Sequence, residues 1–231
     1  MLTAHAYSTP GIPLIPTVRR SPTAETTCAT VLFADLHGYD ALVEKLPPCQ
    51  ALSLLGEFFG AFTDAVLEWG GQIFHQTEAE MMAGFGVGDS RHTQIDEAIE
   101  AARSIHRCFA PIRASWQIKH SIDAGVGIGI HRGDVAIGIF ELTERTLHTL
   151  VGDTANVAAQ LCRRARAGEV LMSAAVYLPH RYHSAAGGAG EPIPPLHLPQ
   201  LQLRGRRAPL DVWCIPVRER LQMRHAGRPR G

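Results

Sequence analysis

Apolar positions Leu54, Leu55, Phe58, Phe59, Phe62, Val66 and Leu67 recur with the spacing of one helix face and predict a helix from Gln50 to Trp69. Pro47-Pro48 suits its first turn, and Gly70-Gly71 stops it. A second helix, Ile95 to Phe109, carries acids in its first turn, where the helix dipole favours them. Between and around these helices the pattern changes to strands. ATVLFADL is a short apolar run closed by Asp35 and Gly38, the reading of a buried strand entering a turn. QIF and MMAGF read as two strands joined by QTEAE. SIDAGVGIGIHRGDVAIGIF holds two β-rich runs about Arg132-Gly133-Asp134, a hairpin candidate. HTLVGDTANVAAQLCRRA follows as strand, turn and helix, with Asp153 or Thr154 as its cap. EVLMSAAVY leads from a strand into a short helix, and LPQLQLRGRRAPLDVWCIP supplies two closing strands.

The resulting order, βαββαβ followed by further strands, predicts an α+β domain: a ferredoxin-like core with extra C-terminal strands, one face covered by a helix pair. Residues 1–24 contain four prolines and no period, so an extended or disordered arm is expected there. The domain itself is expected over 25–217, with a flexible loop at 184–195 and a basic tail over 218–231.

Composition narrows the class. The 231 residues carry 22 Lys+Arg against 22 Asp+Glu and are 45% hydrophobic, which fits a globular protein and gives no case for nucleic acid. Cysteines 28, 49, 108, 162 and 214 are widely spaced without a CxxC, so the expectation is a reducing cytoplasm, with neither a disulfide framework nor a zinc site. No apolar run approaches the ~20 residues of a membrane span. His180 and His183, with no acid nearby in sequence, read as surface residues.

Four segments in order, TVLFADLHGYDALVEKL, GGQIFHQTEAEMMAGFG, IGIHRGDVAIGIF and HTLVGDTANVAAQL, resemble the class III nucleotidyl cyclase catalytic domain, the adenylate and guanylate cyclase family, from about Ala29 to Pro216. That resemblance implies a homodimer or heterodimer with nucleotide sites at the subunit interface. A nucleoside triphosphate there loses pyrophosphate as its 3′-hydroxyl attacks its own α-phosphorus, with Mg2+ or Mn2+ bridged by two carboxylates.

Carried onto this chain, the first carboxylate is Asp35; taken alone, it is an ordinary turn aspartate. The second is absent, because Ala79 stands at its position. Glu78 and Glu80 are candidate substitutes, but neighbours along a strand point to opposite faces, so either is badly aimed unless the turn is rebuilt; solvated surface acids are the simpler account. With Ala79 at the second position, the expectation is a loss of affinity for at least one of the two ions. At the base-reading pair stand His75, where the family has Lys, and Thr149. His75 cannot act as that Lys, and a buried strand histidine is the simpler account. Asn156 matches the ribose-orienting residue. Gln160 replaces the Arg that stabilises charge on the phosphates, and losing such a contact commonly costs ~2.7–4 kcal/mol, about 10²–10³ in rate. Arg163 or Arg164 could reach that face only with a shifted backbone. Arg204, Arg206 and Arg207 offer charge for a triphosphate, or form an exposed basic hairpin. The matched scaffold beside a damaged site implies a dimerising, nucleotide-binding regulatory module. The alternative is an active divergent cyclase, either alone or completed by a partner.

Overall fold

The computed structural model describes residues 23–88, 94–141, 146–187, 195–206 and 208–216. Residues 1–22 of the expected N-terminal arm, the basic tail, most of the loop expected at 184–195 and Arg207 lie outside them, and residues 23–24 of that arm instead open the first strand. In chain order the elements are β1 (Thr23–His37), α1 (Tyr39–Lys45), α2 (Pro48–Glu68), β2 (Gln72–Gln76), β3 (Glu80–Phe85), α3 (Ile95–His120), β4 (Gly125–Glu141), β5 (Thr146–Val151), α4 (Asp153–Cys162), β6 (Glu169–Ser173), α5 (Ala174–Gly187), β7 (Leu196–Leu201) and β8 (Leu210–Pro216). One sheet runs β2-β3-β1-β4-β6-β8-β7, with β5 pairing β4 outside that path. Its first four strands have the ferredoxin-like order that the βαββαβ pattern predicts.

Strand alternation assigns the two faces. Leu32, Ala34, Leu36, Met81, Ala83 and Phe85 pack with α2 and α3 in the main core. Ala29, Val31, Phe33 and Met82 face the other way and pack with Ala155, Ala158, Ala159 and Cys162 of α4. Two glycines permit the second contact. A Cβ on Gly129 would lie 2.2 Å from the Cys162 amide nitrogen, and one on Gly133 2.7 Å from Thr154 Oγ1.

Four expectations are corrected. Arg132-Gly133-Asp134 is not a hairpin turn: β4 continues through it because long β1 pairs it throughout, with Thr30 opposite Arg132 and Cys28 opposite Asp134. Helix α3 does not stop before Pro111 but runs to His120. Phe109 and Trp116 pack edge to face at 5.4 Å, and Trp116 Nε1 donates to Glu57 at 2.8 Å, so packing outweighs the one backbone bond that the proline removes. Neither Asp153 nor Thr154 caps α4: Gly152 occupies the N-cap, and Thr154 Oγ1 donates instead to Asp134 O at 2.7 Å. His180 is buried rather than exposed, with Nδ1 2.6 Å from Asp96 Oδ1 at the start of α3.

Candidate active site

Two groups of side chains flank α4. Asp35 sits near the end of β1 and pairs in register with Glu80, the first residue of β3. Directly opposed residues on antiparallel strands share a face, with Cβ atoms about 4.5–5.5 Å apart. Both belong to the α4 face, since their alternate neighbours Phe33 and Met82 do. The expectation that Glu80 is badly aimed is therefore corrected. Continuing the ladder through Leu36 N to Ala79 O, 2.8 Å, fixes this register, and the Ala79 methyl packs against the main core instead. Glu78 is exposed.

Burial pushes the Glu80 carboxyl above its usual range; the Asp35 charge adds to this, while Arg163 and His75 oppose it. That pair fits a hard divalent cation. Two carboxylates supply oxygen donors, and a cation would relieve their repulsion. Among the described residues no cluster of three or more His, Cys, Asp or Glu could hold a metal ion, so a cation here would draw its other ligands from phosphate, water or backbone.

His75 is exposed on β2, not buried; a bulge between Ile73 and His75 turns it opposite Met82, onto the α4 face. Its neighbour is Glu80 electrostatically, rather than core. Thr149 is half-buried on β5 opposite Gly138.

The second group lines a cleft of about 560 Å³ formed by Asp153, Asn156, Ala159, Gln160, Arg163, Arg164, Arg204, Gly205 and Arg206. Asn156 is exposed on its wall. Gln160 spends both ends of its amide on the backbone of Arg204: Nε2 donates to the carbonyl at 3.1 Å, and Oε1 accepts from the N–H at 2.7 Å. Arg206 Nη2 lies 3.2 Å from Asp153 Oδ2, and Arg164 Nη2 donates to Gln202 O at 2.9 Å. No shifted backbone is needed for Arg163 to reach this face, because the residue closes α4 in helical geometry (φ −63, ψ −15) three positions after Gln160. That spacing was legible in the sequence. Less legible is His131, whose Nδ1 lies 2.7 Å from Ser173 Oγ behind the Arg206–Asp153 pair. Burial holds its pKa at about 4, with Arg206 lowering it further and Asp153 opposing.

Within one chain neither Asp35 nor Glu80 lines the cleft, and Arg163, which lines it and acts on Glu80, stands between the acid pair and the basic pocket with its amide.

Comparison with known proteins matches the same region. The chain is 32% identical over 142 residues to an adenylate cyclase of Anabaena cylindrica, 60% of this chain and 27% of that protein. It spans about a quarter of the length of such curated relatives. Among solved structures, the adenylyl cyclase CyaB from P. aeruginosa superposes with a TM-score of 0.75 at 21% identity, covering 85% of this chain and 97% of that one. A dimeric guanylyl cyclase domain from Blastocladiella emersonii gives 0.67 at 16% identity, over 84% and 99%. These structural likenesses share the fold. With the adenylate and guanylate cyclase catalytic domain model matching residues 22–185, most of the described core including Asp35, Glu80, Asn156 and Gln160, the chain belongs to the class III nucleotidyl cyclase family.

Proposed function

We propose that this domain is a dimerising, nucleotide-binding regulatory module of cyclic-nucleotide signalling in the cytoplasm, impaired in turnover. The observation that carries this reading is the double hydrogen bond from Gln160 to the Arg204 backbone. Position 160 is both neutral and committed, so it supplies no mobile charge to a reacting phosphate, a deficit on the order of 10²–10³ in rate. Dimerisation is supported by the dimeric guanylyl cyclase domain that shares this fold, and two copies, or this chain and another cyclase-type domain, would set the acid pair of one against the basic cleft of the other. Asp35 and Glu80 of one copy would hold a triphosphate-borne Mg2+ or Mn2+, and Arg163, Arg204, Arg206 and Asn156 of the other would take phosphates and ribose. When bound, such a cation neutralises phosphate charge and lowers the pKa of the attacking hydroxyl. His75 and Thr149 would border the base.

The Asp35–Glu80 register favours a second reading, an active divergent cyclase, because it rebuilds a carboxylate pair without the acid missing at Ala79. Incubating the purified chain with ATP, GTP, CTP or UTP and Mn2+ or Mg2+, and reading cyclic nucleotide and pyrophosphate by mass spectrometry, separates the two. Nucleotide with Mn2+ is expected to raise Tm with little or no product. Robust product that disappears in Asp35→Ala and Glu80→Gln would replace the first reading by the second.

A further inference from the structure

The loop between β7 and β8 is tied to α4 and the residues just after it at several points. Gln160 makes its two bonds to Arg204, Arg164 reaches Gln202 O, and Arg206 reaches Asp153. Within the loop, Gln202 Nε2 donates to Arg206 O at 2.6 Å, and Gly205, at φ +81, makes the left-handed turn between the two cleft arginines. Among the described residues, Gln160 is the side chain that grips the loop backbone by both a donor and an acceptor at a single residue. Its partner is an exposed cation that lines the cleft.

We infer that Gln160 is a positioning residue: it fixes the Arg204 backbone so that the Arg204 guanidinium meets the phosphates of a nucleoside triphosphate, and phosphate affinity depends on this grip rather than on charge at position 160. The inference rests on the proposed nucleotide binding. An Arg side chain at position 160 could donate to the Arg204 carbonyl but could not accept from its N–H, leaving that donor without its partner. Two neutral hydrogen bonds of ordinary strength correspond to about tenfold in affinity if they hold the loop only in its binding geometry.

The test compares ATP and inorganic tripolyphosphate binding, by calorimetry with Mn2+ and with EDTA, for the wild type, Gln160→Arg, Gln160→Met and Arg204→Ala, with Tm as a folding control. Gln160→Met, which removes both bonds, should weaken binding ~10-fold, and Gln160→Arg, which keeps one, about threefold. In an Arg204→Ala background neither should weaken it further, since the group they position is gone. A Gln160→Arg protein that binds as well as the wild type or better overturns the inference. Equal losses from Gln160→Met with and without Arg204 do the same. If Gln160→Arg fails to fold, Gln160→Met alone carries the comparison. Absence of binding by the folded wild type defeats the proposed function, a failure distinct from binding that is indifferent to position 160.

Discussion

Asp35 and Glu80 stand directly opposite each other across β1 and β3, on the face that α4 covers. Their charges meet where burial already penalises the Glu80 carboxylate. A raised carboxyl pKa means that the folded state holds its proton to higher pH than the unfolded chain, so stability falls as pH rises through and above the ordinary value of 4.5. Glu80→Gln is therefore expected to raise Tm of the ligand-free protein at pH 7 while removing the Tm gain from ATP with Mn2+. Asp35→Asn should remove the same gain, and Glu78→Gln, at an exposed position, should leave it intact. Retention of the Mn2+-dependent gain in Glu80→Gln would remove Glu80 from the cation site.

Gly129 is where β4 meets α4 most closely. A methyl group there would overlap the Cys162 amide and lie 2.3 Å from the Ala158 carbonyl, both parts of a helix backbone that cannot rotate away. Gly129→Ala should cost ~3 kcal/mol or more by urea denaturation, at the upper end of overpacking effects. Gly60→Ala, which meets nothing within 4 Å, is the matched control and should not destabilise.

Two histidines make the fold acid-sensitive. Burial depresses His106 and His131 to about 4, so both are neutral in the native state yet protonate in the unfolded chain near 6.5. In that interval the unfolded state binds more protons, and stability must fall as pH drops from 6.5 toward 4. The slope should approach about 1.4 kcal/mol per pH unit for each histidine. Tm measured against pH should show a shallower decline in His106→Gln; an unchanged decline would mean that His106 already carries its proton in the fold.

The His180–Asp96 contact joins α5 to the first turn of α3. Replacing His180 by Ala removes a hydrogen bond to a charged group and should cost about 1.5–3 kcal/mol. A double-mutant cycle with Asp96→Ala reads the coupling, and strictly additive losses would show that the two residues contribute through other neighbours.

The sequence alone determined the βαββα start of the core, because hydrophobic period is a local property: a 3.6-residue repeat names α2, and apolar runs bounded by glycine name β1 and β3, although it missed the short α1 and divided β4 in two. It also offered Asp35, Asn156 and Thr149, with Ala79, His75 and Gln160, as the positions to compare with the family motif, since a motif is a matter of residue identity and spacing. Tertiary structure decided what those residues face. Whether Glu80 meets Asp35 depends on the unbroken β1–β3 register, continued by the ladder bond from Leu36 N to Ala79 O, and a shift of one residue would reverse the face. Whether 132–134 turns depends on β1, a hundred positions earlier, being long enough to pair it. His180 finds Asp96, and Gln160 finds the backbone of Arg204, only because separate elements pack together. Local sequence carries propensity, whereas partners distant along the chain are assigned by packing, and in this domain packing settles the surroundings of both the acid pair and the basic cleft.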